Sequence, residues 1–92
     1  LDRMRANTQA AKAGNYDINY ATAPTSLTCT ANCTAAQIAG LDLIEWHAYV
    51  SRLPGGEGEI SVDASGLAEV GVRWADARDG GTKLEVITRA QL

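Results

Sequence analysis

Cys29 and Cys33 have the most chemistry to offer, set within Leu27-Thr-Cys-Thr-Ala-Asn-Cys-Thr34. Zinc takes about four ligands, and the lone histidine, His47, does not complete a set. A redox dithiol motif has two residues between its sulfurs, whereas three separate these. A small disulfide fits best, because a turn of this length brings two Cα atoms to bonding distance. Two free buried thiols are the alternative. So short a loop gains about 2 kcal/mol at most from chain entropy. The bond would therefore serve to shape a connection, and it implies an oxidising compartment.

The other polar groups fall short of a reaction. Asp42 and Glu45 stand three apart and could pair with a nearby cation, but a solvated helix face explains them more simply. His47 lies mid-helix with no nucleophile elbow elsewhere to serve. Pro54-Gly55-Gly56-Glu57-Gly58 is glycine-rich, yet it leads from a helix into a strand, the reverse of a phosphate cradle. Asp76, Asp79 and Gly80 lack the ligand count and closing glutamate of a calcium loop, so a hairpin turn is the better reading. Asn32-Cys33-Thr34 matches a glycosylation acceptor, a pattern that chance supplies often. No catalytic, cofactor-binding or metal-ligating set is expected, and the chain does not read as an enzyme. A net charge of −3 gives no electrostatic case for nucleic acid. No apolar run approaches the roughly 20 residues of a membrane span.

These residues must be held by a single domain, since 92 residues with 46% apolar content suffice for one small core. Residues 1–13 pattern as an amphipathic helix with Leu1, Met4, Thr8 and Ala11 on one stripe. It opens without an N-cap, which reads as the distal part of a longer helix. Gly14 suits a left-handed C-terminal stop. Residues 14–33 form a long loop carrying the cysteines, to be held down by Tyr16 and Tyr20. Thr34 and Gln37 make a capping box for a second helix over 34–53, ended by Pro54-Gly55-Gly56. Gly40 inside it marks close packing. Its apolar residues exceed one narrow stripe, which predicts a helix that is sandwiched or partly buried at both ends.

Residues 58–90 change to period two. Ile60 and Val62 alternate with polar neighbours, Ala64-Ser65-Gly66 turns, and Ala68, Val70, Val72 and Trp74 share a side. Asp79-Gly80-Gly81 signals a hairpin, after which Leu84, Val86 and Thr88 resume the inward face. The expected fold class is α+β, with both helices covering the apolar face of a three-stranded antiparallel meander.

The string Asp2-Arg3-Met4-Arg5-Ala6-Asn7, with Ala10-Ala11, Gly14 and Tyr16, resembles PilV-type minor pilins of type IV pili. The likeness continues through the cysteine loop, Asp42-Leu43, Trp46 and Leu53-Pro54-Gly55-Gly56-Glu57-Gly58. It ends in Val70-Gly71-Val72-Arg73-Trp74 with Asp76 and Arg78, and so covers most of the chain. Pseudopilins of type II secretion systems share the architecture. The resemblance implies a type IV pilin-like fold in which residues 1–13 are the end of a longer membrane-anchored helix. It implies an assembly role at the periplasmic face of the inner membrane and in the filament, near its tip. The partners would be other minor pilins, with the major pilin or a tip adhesin beyond them. Contacts are expected at Arg3, Met4 and Arg5, at the cysteine loop, and around Pro54 and Asp79. A solvated helix face is the plain alternative for Arg3 and Arg5. A surface-binding module would need Trp46 or Trp74 as a stacking platform, and both read better as core.

Overall fold

The computed structural model describes residues 1–76 and 82–92. Its elements are α1 (Asp2–Arg5), α2 (Thr8–Lys12), α3 (Ala35–Val50), β1 (Glu57–Val62), β2 (Leu67–Asp76) and β3 (Thr82–Gln91). The strands pair antiparallel in the order β1-β2-β3. A helix thus packs on a three-stranded antiparallel sheet, as the change of period at residue 58 requires. The Asp79-Gly80-Gly81 turn lies outside the described residues.

The N-terminal segment departs from the expected single helix. It breaks at Asn7, whose φ of −140° and ψ of 50° leave the helical region. At the break the Thr8 hydroxyl donates to the Arg5 carbonyl at 3.0 Å, a local bond that competes with the helix ladder, and Asn7 Nδ2 donates to the Ala35 carbonyl at 2.8 Å, in the first turn of α3. On the two sides of the break Met4, Ala10 and Ala11 all reach the core. At the far end Gly14 takes φ +87°. Its N–H donates to Ala11 O at 3.1 Å, and that of Asn15 to Ala10 O at 3.0 Å. Together these make a complete left-handed helix stop.

The long loop is partly sheet. Ile18 exchanges two backbone hydrogen bonds of 2.9 Å with Ile60, so it pairs with the outer edge of β1. Asp17 Oδ1 accepts from Val62 N at 3.0 Å. The Cys29 and Cys33 sulfurs lie at disulfide distance, 1.96 Å. Leu27 then lies against Gly40, where a Cβ would come within 2.8 Å of Leu27 Cδ2. That is the close packing the helix glycine announces.

The capping box forms: Gln37 N donates to Thr34 Oγ1, and Thr34 N to Gln37 Oε1. The helix stops at Val50 rather than 53. It buries one stripe, Ala39, Leu43 and Val50, while Ile38 and Tyr49 face out. Ala39 near its start and Val50 at its last residue are both buried, so of the two expected arrangements the helix shows burial toward both ends.

Gly58, Ile60, Val62, Ala68, Val70 and Val72 share the sheet face under α3, as the strand register requires. Trp74, Leu84, Val86 and Thr88 continue that face. The helix covers its β1 side only, so Leu84 is 38% exposed and Val86 55%. Their expected inward position is met in register and not in burial. Two glycines fit the sheet between aromatic rings. A Cβ on Gly58 would lie 2.2 Å from Trp46 Cη2, and one on Gly71 would lie 2.3 Å from the Tyr20 hydroxyl on the other face.

Candidate functional site

Where α1, α3 and the sheet meet, a cleft of about 280 Å³ opens. Its walls include Leu1 and Met4 from the N-terminal segment, Trp46 and Tyr49 from α3, and Ile60 and Val70 from the strands. The strands supply side chains of even number because period two sends those residues to the helix side. Met4 is 3% exposed, a core contact at the cleft floor and not a surface one. Leu1 and Tyr49 are exposed at the mouth.

One rim is charged and self-paired. The Arg3 guanidinium grips Glu45 with both ends, Nη1 to Oε2 at 2.5 Å and Nη2 to Oε1 at 2.8 Å. Nη1 also reaches Asp42 Oδ1 at 3.2 Å. The other oxygen of Asp42 accepts from the buried Tyr16 hydroxyl at 2.5 Å. Asp42 and Glu45, three apart on a helix, face the same way and share one cation. Glu45 and Arg3 remain exposed, so the pair lies on a solvated face, as expected, and there takes Arg3 as its cation. These contacts shift protons in a consistent direction. Hydrogen bonding to Glu45 raises Arg3, and hydrogen bonding to Arg3 lowers Glu45. Tyr16 is pushed up to about 12, first by burial and then by its bond to Asp42.

The remaining expected contact residues are scattered. Arg5 is exposed and among the described residues pairs with Asp2 alone, at 3.8 Å, a surface pair of little energetic value. Pro54 is exposed, with its carbonyl accepting from Ala75 N at 2.8 Å, so the loop is tied to the end of β2. Asp79 lies outside the described residues. The cysteine loop leads into the N-cap of α3, and its residues are not among the cleft's lining.

On the opposite sheet face a second polar cluster forms. The Arg73 guanidinium lies 4.1 Å over the Tyr20 ring, and Tyr20 donates to Glu85 Oε2 at 2.9 Å. Burial pushes Tyr20 up to about 12, with Glu85 adding to it. Glu57 takes Lys83 and Arg73 as partners, and these bonds, that of Lys83 first, lower its proton affinity. Sequence reasoning missed this cluster and the cleft's Tyr49, Ile60 and Val70. The one available signal was Tyr20 and Gly71 as a ring and a vacancy, which declare themselves only once the loop's path is known.

Among the described residues no group of three or more His, Cys, Asp or Glu could hold a metal ion. No helix among them is long and apolar enough to cross a membrane. The site offers an apolar recess with an ion-paired rim, suited to receiving an apolar side chain or helix end. Compared with known proteins, the chain matches no family model, no curated protein and no solved structure.

Proposed function

We propose that this domain is a minor pilin that joins other minor pilins in a complex that primes pilus assembly and stays near the tip. The observation that carries the reading is the apolar cleft beside Asp2-Arg3-Met4-Arg5-Ala6-Asn7, the string that most resembles the PilV type. An assembly subunit needs apolar surface that stays open until a neighbour arrives, and Leu1 and Tyr49 supply it at the cleft mouth. Arg5 and the loop at Pro54, exposed outside the cleft, offer further polar contacts that select the neighbour. The Cys29–Cys33 pair is in keeping with the periplasmic side of the membrane, where disulfides persist. No cofactor and no nucleic acid enter this role.

Co-purification with the minor-pilin domains of the same assembly tests it. The native domain should be retained by at least one of them, and Tyr49→Asp should abolish retention while circular dichroism stays native. Failure to recover any complex with the native domain would sink the proposal. Recovery with pseudopilins alone would move the chain to a type II secretion filament.

A further inference from the structure

The two outer edges of the sheet differ. Along β1 the edge is engaged by Ile18 and Asp17. Along β3, among the described residues, no segment pairs, and residues 83–89 are all exposed. A ten-residue edge strand with a bare row of N–H and C=O groups is a template for another strand. Leu84, Val86 and Ile87 stand exposed along it, Ile87 at 43%.

The charges on β3 select its partner. Lys83, Glu85, Ile87, Arg89 and Gln91 alternate on the face away from α3. In an antiparallel pairing of β3 with a second β3 about a two-fold axis, each register sets different residues opposite one another. Centring the axis on Glu85 or on Val86 opposes like charges, Glu85 with Glu85 or Lys83 with Arg89. Centring it on Ile87 sets Glu85 against Arg89 twice, Ile87 against itself and Lys83 against Gln91. On the other face the same register opposes Leu84 to Ala90 and Val86 to Thr88. Opposite charges facing across strands stabilise a ladder and like charges penalise it. Centring on Leu84 also sets Lys83 against Glu85 but pairs only residues 82–86, and centring on Thr88 opposes no unlike charges, so the Ile87 register alone joins charge complementarity to nearly the full length of the strand.

The existing bonds permit this. Arg89 holds Glu69 through Nε at 2.8 Å, which keeps the fork of terminal N–H groups for a second carboxylate. Tyr20 bonds to one oxygen of Glu85, and a carboxylate has two. We infer that β3 is a self-association edge on which a second copy of this chain adds its own β3, centred on Ile87, to form a continuous six-stranded sheet. The inference is independent of the assembly role, since it uses the edge of the sheet and not the cleft.

Sedimentation equilibrium of the native chain across a wide concentration range should show a monomer–dimer equilibrium. Glu85→Arg and Arg89→Glu should each raise the dimer dissociation constant by about tenfold or more. The double variant, which exchanges the two charges, should return it toward the native value. Ile87→Cys should give a covalent dimer in a glutathione buffer, read by intact mass, whereas Lys83→Cys should not. A native chain that stays monomeric, or a dimer unmoved by both single reversals, would overturn the inference. Circular dichroism of each variant separates loss of pairing from loss of fold.

Discussion

Two glycines carry opposite consequences for the same added methyl group. At Gly58 a Cβ would strike the six-membered ring of Trp46, which is fixed between α3 and the sheet. Gly58→Ala should therefore destabilise the fold by about 1–3 kcal/mol, the usual cost of overpacking, measured by denaturant unfolding. At Gly71 the obstacle is the hydroxyl end of Tyr20, which can swing aside. Gly71→Ala should cost less, and the loss should appear as the disappearance of the Tyr20–Glu85 bond and the raised tyrosine pKa. Equal losses at both sites would refute the account. The charged rim makes a further residue-scale prediction. Because Glu45 is held below its ordinary 4.5 by Arg3, its contribution is present above that value and is lost as acid protonates it. Arg3→Glu would gather three carboxylates and weaken the docking of α1, while Arg3→Glu with Glu45→Arg should recover it. Thermal melts at neutral pH read both.

At the scale of elements, the β1–β2 turn hangs on one carboxylate. Asp63 Oδ1 accepts from Ser65 N, Ser65 Oγ and Leu67 N, and these bonds, led by the Ser65 hydroxyl, lower its proton affinity. Asp63→Ala should speed hydrogen exchange at Leu67 and leave the β2–β3 ladder protected; unchanged exchange at Leu67 would contradict the role. Locality explains which elements could be read from the sequence. The Thr34–Gln37 box, the Gly14 stop and the alternation from Ile60 onward are written within a few residues and appear as expected. The break at Asn7 was hidden because its amphipathic stripe continues across it, and the Ala35 carbonyl that Asn7 holds lies in another helix. The Ile18–Ile60 bridge was hidden for a similar reason, since a lone strand residue has no period. Arg3 with Asp42 and Glu45 could not be paired from spacing alone, because only the docking of α1 on α3 brings them together. The open cleft and the bare β3 edge are absences of cover, which no local pattern encodes.

For the molecule as a whole, stability should be bounded on both sides of neutrality. Tyr16 and Tyr20 are raised from 10.0 to about 12, so the protonated phenols stabilise the fold fully below pH 10. That contribution fades as pH climbs through 12, while the lowered Glu45, Glu57 and Asp63 fail at the acid end. Unfolding midpoints should therefore form a plateau that drops in acid and again above about pH 10, and a midpoint still rising there would exclude the tyrosine account. Removing the disulfide should matter little by comparison. Reduction should lower stability by about 2 kcal/mol or less and leave the far-UV spectrum unchanged.

The pairing of Ile18 with Ile60 also sets an order of events during synthesis. α2, cut off from α1 at Asn7, is five residues long, too short to persist in water without a surface to lie on. That surface includes β1, which the ribosome delivers only after α3. Until Ile60 emerges, the first third of the chain has no edge to join and remains a target for proteases and holding chaperones. A fragment ending before β1 should show α3 as its only fractional helix, and the nascent chain should gain protease resistance in one step as the sheet appears.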